Sequence, residues 1–499
     1  MKKYLLGIDI GTSSCKICII DEAGNFIGSV AQEYRPVSLR PGWFEQDPEE
    51  WYQAVIDSLR KLNKNVKVNF QDIAAIGTTG QMKGTTFIDS DGKVVRNTIL
   101  WNDLRNLKEV HELKSQYHDM LDQISVNPFN ATCTFPKAVW LMKNEPGNWE
   151  KTRKIIFPKD FIAFRLTGNL QTDFSDASSI CFYNTRKQDW WSEDIFKRLA
   201  FPKEKLPDFY PSTQIIGKVS AFASEETGLP KGIPVVAGGS DATVESLSIG
   251  LHKPSQCKIR IGTAGALVKV VDNLENIEKG KYYIWSYLIP GTWMLDNNTR
   301  SCAQATAWYR DVFFAERSSE SETYAHIAKE AQAIPLGSEG LFFHPYLLGE
   351  DSPYWDSKLK GSFFGISANH TRNHFARAVY EGTAYALNDA RSGFGDQADE
   401  FSEYILVGGG LKNPLWTSII VDVLGVDAHI PLHSDASFGA CMLAGIGMGV
   451  FHGFEDAVKI CVKSSKHIRH NRENHKVYGE LFAKYQAMKR IYDQIYGLD

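Results

Sequence analysis

No apolar run in this chain approaches the roughly 20 residues that a helix needs to cross a bilayer, so a membrane-embedded protein is not expected. Excess positive charge is also missing. The formal net charge is −4, which leaves no overall basic field for nucleic acid. The P-loop spacing G-x-x-x-x-G-K-[ST] does not occur, and neither does a long Pro/Ser linker or a low-complexity tract. Cysteine is sparse and scattered, at positions 15, 18, 133, 181, 257, 302, 441 and 461. Cys15 and Cys18 have C-x-x-C spacing, but an alternating strand aims them at opposite faces, and one pair is too few for a zinc site. Reduced, buried thiols in a cytoplasmic protein are the expectation. The apolar stretch after Lys2 and Lys3 breaks at Asp9, which argues against a signal peptide.

What the sequence does contain is a distinctive opening. Gly7-Ile8-Asp9-Ile10-Gly11-Thr12-Ser13-Ser14-Cys15-Lys16 reads as a strand, an acid near its end, a small-residue turn and the start of a second strand running to Asp21. Backbone N–H groups in such a turn form a concave anion site. Gly11 permits close approach of a phosphate, and Thr12, Ser13 and Ser14 add hydroxyls. Asp9 is suited to hold Mg²⁺, directly or through water. Read alone, the stretch is equally a plain β-hairpin. Residues 260–272 repeat the pattern about half a chain later, with Ile, Gly and Thr matched, Asp272 at the place of Asp21 and Arg260 at the place of Asp9. Internal similarity at this interval predicts two related domains, 1–247 and 248–499, each offering a hairpin to one cleft.

Short apolar strands alternate with helical spacing throughout, so the class is α/β. Asp47-Pro48-Glu49-Glu50 starts a helix that turns Trp51, Val55 and Leu59 inward. Strands are predicted over 73–80, 233–237 and 404–407, and helices over 375–388, 414–424 and 438–450. A closing helix carries Tyr478, Leu481, Phe482, Tyr485, Met488 and Tyr492 on one face. The basic stretch 466–476 before it is read as a solvated loop.

Ligands of open α/β sheets gather at the carboxyl ends of strands. Polar clusters at such ends are Asp9, Gln81–Lys83, Asn102–Arg105, Asp241, Thr263 and Gly408–Gly410. Asp241 follows two glycines, so it is either an exposed base for a substrate hydroxyl or a helix N-cap. Met82 and Trp101 suit a sugar-facing wall, and Lys83, Asp103 and Arg105 suit hydroxyl contacts or ordinary ion pairs. Gly408–Gly410 with Asn413 suits an adenosine pocket.

These blocks, in this order, resemble the FGGY family of carbohydrate kinases. The resemblance runs from Gly7 to about Val450 and includes Gly42-Trp43, Glu45 to Pro48, Gly80-Gln81-Met82, Trp101 to Asp103 with Arg105, and Gly238 to Asp241. It continues through Gly361, Gly365, His374, Glu381, Gly408–Gly410, Asn413, Trp416, Asp422 and Gly439. Within the family the pattern is most similar to the xylulokinase subgroup. The resemblance implies two actin-like ATPase (ribonuclease H-like) domains flanking a central cleft. It implies ATP and Mg²⁺, with Asp241 as general base and Asp9 and Asp241 on the metal side. Gly11, Thr12, Ser13, Lys16, Gly262, Thr263, Gly409, Gly410 and Asn413 fall on the ATP side, and Gln81, Met82, Lys83, Trp101, Asp103, Arg105 and Asp241 on the sugar side.

Four departures stand out: Lys83 where the subgroup has His, Ala242 where it has Asn, Asp351 in place of Arg, and Thr132 and Ala138 in the signature around Lys137. Met82-Lys83 argues against glycerol. The expected reaction is phosphorylation of a ketose, D-xylulose first, with a sugar acid such as gluconate as the alternative inside the enzyme class. A non-catalytic sugar or nucleotide sensor is the alternative outside it. Exposed aromatics are compatible with a homodimer. Nucleic acid and membrane are not expected partners.

Overall fold

The apolar runs pair into two seven-stranded sheets of related design. In this computed structural model, residues 3–124, 126–275, 277–278, 280–316, 319–395 and 400–496 are described. The first sheet is ordered Ile215–Lys218, Pro234–Val236, Ile73–Gly80, Tyr4–Ile10, Ser14–Asp21 and Phe26–Glu33, with Gly239–Ser240 also paired to Ile73–Gly80. The second is ordered Tyr283–Ser286, Trp293–Thr299, Gly265–Val271, Gln256–Ile261, Glu403–Val407, Ala428–Pro431 and Ser464–Ile468. Each sheet is built around a hairpin whose first strand runs parallel to a later strand. Tyr4–Ile10 pairs with Ile73–Gly80, and Gln256–Ile261 with Glu403–Val407.

The hairpins differ by one residue. Ile10 pairs with Cys15, whereas Ile261 pairs with Gly265, so the second turn is shorter. The registers therefore part after the turn, and Asp272 is one position out of step with Asp21. A smaller five-stranded sheet, ordered Val37–Arg40, Trp43–Gln46, Val94–Ile99, Thr85–Ile88 and Lys154–Ile156, extends the first half.

Helix boundaries follow local chemistry. Pro48–Asn65 begins where Asp47 accepts from Glu49 N at 3.0 Å, and it buries Trp51, Val55 and Leu59. Pro414–Leu424 is capped by Asn413 and ends at Gly425, whose φ of 66° is the left-handed C′ geometry. The closing helix Arg472–Tyr496 buries Tyr478 and Tyr485, with Leu481, Phe482 and Met488 packed beside them. The side chain of Tyr492 lies outside the described residues. The basic stretch 466–476 is a loop only over 469–471: it begins in Ser464–Ile468, an edge strand paired with Ala428–Pro431, and ends in the first turn of the closing helix. Edge strands tolerate Lys and Ser on exposed positions, which makes their composition resemble a loop.

The sheets divide near residue 248, but the helices do not. Ala436–Gly447, from the second half, lies against Tyr4–Ile10 and Ile73–Gly80 of the first sheet and against Asp241–Ser248. Missing side chains make this possible. A Cβ on Gly77 would sit 2.1 Å from the Ala440 carbonyl oxygen, and one on Gly439 would sit 2.2 Å from that of Val244. The core here mixes both halves: Leu5, Cys18, Val244, Ile405, Phe438 and Met442 form one cluster.

A methyl group added at this contact has nowhere to go. Gly77→Ala is expected to destabilise the protein by about 1–3 kcal/mol in chemical denaturation. Gly479→Ala in the last helix meets nothing within 4 Å and is expected to stabilise it by up to about 1 kcal/mol. Equal effects would contradict the close-packing argument.

Candidate active site

Both key acids stand at the carboxyl end of the first sheet. Asp9 is opposite Thr79 on one side of the strand Ile73–Gly80, and Gly239 is opposite Thr79 on the other. Asp241, two residues past Gly239, opens the helix Asp241–Ser248. The cap position of that helix is Ser240, so the N-cap reading of Asp241 does not hold. Gly238 has φ of 73°, and a Cβ there would meet the Thr78 carbonyl oxygen at 1.8 Å. Only glycine makes this turn, which sets Asp241 at the start of the helix that follows.

The turn is held from behind by a buried network. Ser240 N donates to Ser175 Oγ at 2.8 Å, and Ser175 Oγ donates to Asp173 Oδ2 at 2.6 Å. Lys159, fully buried, pairs with Asp160, Asp173 and Asp176 and donates to the Ala237 carbonyl at 3.3 Å. None of these residues was singled out by sequence.

The carboxylates influence one another. Burial raises the Asp9 pKa well above the usual carboxylate range, and Asp241, Asp435 and Glu245 push it the same way against Lys16. Burial also pushes Asp241 up to about 6; its Oδ1 accepts from Ala242 N at 2.8 Å, and the Met82 amide also donates to it. Asp9 Oδ1 is buried without a hydrogen-bond partner among the described residues. Asp435, absent from the sequence reading, pairs with Lys16 and caps Ala436–Gly447 by accepting from Ser437 N at 3.0 Å. Glu245 pairs with Lys258 at 2.9 Å. An Asp before a small-residue run is the N-cap signal that marks Asp435.

This donor set fits Mg²⁺. The ion takes oxygen ligands and keeps several waters, usually held by one or two carboxylates and substrate phosphates. An orphaned carboxylate oxygen among acids is the matching observation. Among the described residues no group of three or more His, Cys, Asp or Glu forms a closed metal cage.

Around the first turn, polar atoms are tied together. Thr12 Oγ1 donates to Gln81 Oε1 at 3.1 Å and accepts from Trp101 Nε1 at 3.1 Å. Gln81 Nε2 donates to Gln46 Oε1 at 2.9 Å, and Gln46 Nε2 to the Thr12 carbonyl at 2.7 Å. Gln81 is buried, and its amide is occupied in shaping the turn. Asp103 and Arg105 are likewise committed. Arg105 forks onto Asp103 at 2.9 and 2.8 Å and reaches Glu45 at 2.6 Å, and Asp103 accepts from Phe44 N at 2.6 Å. The Arg105 guanidinium lies 4.2 Å from the Trp43 ring centroid, and neither charged side chain is exposed. A sugar hydroxyl reaches this pair only by displacing these partners. Trp101, by contrast, is 44 % exposed.

Met82 is half-buried. Lys83, with φ of 63°, turns its amine into a small cavity of about 20 Å³ lined also by Cys133, Cys181, Tyr183, Tyr283 and Trp285. Lys83 Nζ donates to Thr132 Oγ1 at 2.9 Å and lies 4.8 Å from the Trp285 centroid. Lys137, fully buried, donates to the carbonyls of Lys83 at 2.8 Å and Thr132 at 3.2 Å. Burial lowers both amines, Lys137 to about 7 with the Lys83 charge adding to the effect.

The second-half residues meet in the same topological place. Arg260 is opposite Val407, so the turn at Gly262 and Thr263 adjoins Gly408–Gly410. A Cβ on Gly408 would lie 2.5 Å from the Ile261 carbonyl oxygen. Gly409 faces open space and Thr263 is exposed, whereas Gly410 packs against Ile261 and Trp416. Asn413 Oδ1 is engaged in capping Trp416 N at 3.1 Å.

Comparison with known proteins gives the family. Residues 4–248 match the N-terminal domain of the FGGY family of carbohydrate kinases, and residues 270–448 match its C-terminal domain. This chain belongs to the FGGY family. It is a carbohydrate kinase with the two-domain actin-like ATPase fold, acting on a small sugar with ATP. A xylulose kinase of Lactococcus lactis is 33% identical over 99% of this chain and 96% of that protein. The xylulose kinase structure from Rhodospirillum rubrum is similar with a TM-score of 0.90 at 25% identity, over 99% of this chain and 100% of that one. A gluconokinase of Bacillus subtilis is 27% identical over 99% of this chain and 97% of that protein. No helix among the described residues is long and apolar enough to cross a membrane.

A raised Asp9 pKa means that the folded state binds this proton more tightly than the unfolded chain. Its contribution favours folding below the ordinary carboxylate pKa near 3.8 and is lost as pH rises through the raised value. Asp9→Asn is therefore expected to raise the melting temperature of the nucleotide-free protein at pH 7.5 and to abolish sugar phosphorylation. A lowered melting temperature would refute the repulsion argument.

Proposed function

We propose that this kinase transfers the γ-phosphoryl group of ATP to D-xylulose, giving D-xylulose 5-phosphate, with Mg²⁺ as the metal. The observation that carries the mechanism is Asp241: a carboxylate at the carboxyl end of the first sheet, raised by burial to about 6, beside the Met82 backbone and within the field of Asp9. Asp241 accepts the proton of the sugar hydroxyl as that oxygen attacks phosphorus. The Gly11–Ser13 turn with Lys16, and the Gly262–Thr263 turn, bind phosphate oxygens, while Gly409 leaves room for adenosine. Asp9, and Asp241 through water, would hold Mg²⁺, which neutralises phosphate charge when bound. Domain closure aligns the hydroxyl with the phosphorus and excludes water. The choice of D-xylulose rests on the similar xylulose kinases. The reaction is placed in the cytoplasm, which keeps thiols reduced.

A second reading, a sugar acid, is favoured by Lys83 and Lys137. Among the described residues neither amine has a carboxylate in ion-pair distance, and a substrate carboxylate would supply one.

Asp241→Asn is expected to lower kcat by at least about 100-fold while nucleotide affinity is kept. In the unaltered enzyme kcat falls about tenfold per pH unit below about 6, because protonated Asp241 cannot accept the hydroxyl proton. Turnover near normal in the variant would contradict the role. ADP release with D-xylulose and D-gluconate side by side decides the substrate. Lys83→His raises the D-xylulose to D-gluconate ratio of kcat/KM, and an unchanged ratio removes Lys83 from specificity.

A further inference from the structure

Two of the eight cysteines differ from the other six. Cys15, Cys18, Cys257, Cys302, Cys441 and Cys461 are at most 1 % exposed. Cys133 and Cys181 are 6 % and 7 % exposed, and both line the cavity that the Lys83 amine enters. They come from separate segments and meet in the wall of that one cavity. Cys133 stands at the N-cap position of the 11-residue helix Thr134–Asn144 and makes no capping hydrogen bond there. Its sulfur stands at the positive end of the helix dipole, next to Thr132, whose hydroxyl and carbonyl accept from the Lys83 and Lys137 amines. The Cys133 thiol donates a long hydrogen bond, 3.9 Å, to the Pro128 carbonyl.

We propose that Cys133 is a peroxide-reactive thiolate and that Cys181 is its resolving partner, so that the two form a reversible disulfide in the cavity wall. A helix N-terminus, adjacent ammonium groups and a second cysteine are the surroundings that make a thiolate nucleophilic. The groups facing the Cys133 sulfur are the Cys181 thiol, the Lys83 and Lys137 amines, the Asn130 backbone and, across the cavity, the neutral Tyr283 hydroxyl. The Cys181 thiol, then Lys83 and Lys137, hold the Cys133 thiol below its usual value against the opposing effect of burial. The helix N-terminus adjoins Cys133 and not Cys181, and the two amines bond to Thr132 beside it, which makes Cys133 the attacking sulfur and Cys181 the second.

The chemistry balances. The Cys133 thiolate attacks one oxygen of hydrogen peroxide; an S–O bond forms, the O–O bond breaks and the departing hydroxide takes a proton to become water. Cys181 sulfur then attacks the sulfenic sulfur. An S–S bond forms, the S–O bond breaks, and the leaving hydroxide receives the Cys181 proton as a second water. Two thiols are oxidised by two electrons and one peroxide is reduced. An external dithiol reverses the step.

A disulfide here ties the segment around Cys181 to the helix start beside Lys83. Sugar binding is therefore weaker in the oxidised protein. This consequence rests on the cavity being the sugar side, whereas the disulfide does not.

The test treats the reduced full-length protein with equimolar hydrogen peroxide and maps cysteines by mass spectrometry after alkylation. The expected product is a Cys133–Cys181 disulfide, removed by dithiothreitol, with the other six cysteines still alkylatable. Cys181→Ser treated with peroxide and dimedone is expected to carry the adduct on Cys133, and Cys133→Ser to carry none on Cys181. Lys83→Met is expected to slow iodoacetamide labelling of Cys133 at pH 6.5 by about tenfold. Circular dichroism and melting curves show that each variant is folded. A folded protein in which Cys133 is no more reactive than Cys257, or in which no 133–181 linkage appears, overturns the proposal. A disulfide-linked enzyme with unchanged KM for sugar overturns only its link to sugar binding.

Discussion

Asp9 is buried within the electrostatic reach of three other carboxylates, and that repulsion is the constraint on this end of the first sheet. Asp241, Glu245 and Asp435 all act on Asp9, and only Lys16 among its strongest neighbours opposes them. An apo protein gains nothing from such a cluster; burial of like charges costs free energy. The arrangement becomes favourable when a divalent cation and phosphate oxygens enter. The same surroundings hold Asp241 near 6, so it is ionised at neutral pH yet basic enough to take a proton. A sensor that only bound sugar or nucleotide would have no need of this pair.

The cluster exists because backbones approach without side chains between them. Asp435 belongs to the second half of the sequence, and it reaches Lys16 only because Ala436–Gly447 lies directly on Gly7 and Gly77. A Cβ on Gly7 would be 1.9 Å from the Ser437 carbonyl oxygen. Glycine at these positions therefore serves electrostatics as well as packing. It sets the distance between charges on one sheet and charges on a helix from the other half.

The fold was largely legible because local signals agreed with one another. Asp47-Pro48, Asn413-Pro414 and Gly425 mark helix ends by chemistry that tertiary structure did not override. The start of the basic segment, misread as a loop, was an edge strand, where polar composition carries no period to detect. The site was legible where glycine forces an acid outward, as at Gly238–Asp241. It was less legible where a residue's partner is distant in sequence. Gln81 and Arg105 look free in one dimension, but their polar atoms are taken by Thr12, Gln46, Glu45 and Asp103. Lys159 was invisible for the same reason, whereas Asp435 carries a local N-cap signal but not its pairing with Lys16.

That distance dependence also explains the departures from the family pattern. Lys83 and Thr132 each looked anomalous alone, yet Lys83 Nζ donates to Thr132 Oγ1 at 2.9 Å, so the second departure receives the first. Asp351 follows the same rule, pairing with Arg300 Nε at 2.6 Å. A hydroxyl acceptor positions an amine without neutralising it. Lys83 therefore keeps a lowered pKa and an unbalanced charge at the cavity, while Lys137 anchors its backbone. A histidine at position 83 would bring a shorter, planar donor and no obligatory charge. The Lys83–Thr132 pair thus changes the electrostatics of its own cavity while Asp9 and Asp241 keep theirs, so a substitution at position 83 alters one without altering the other.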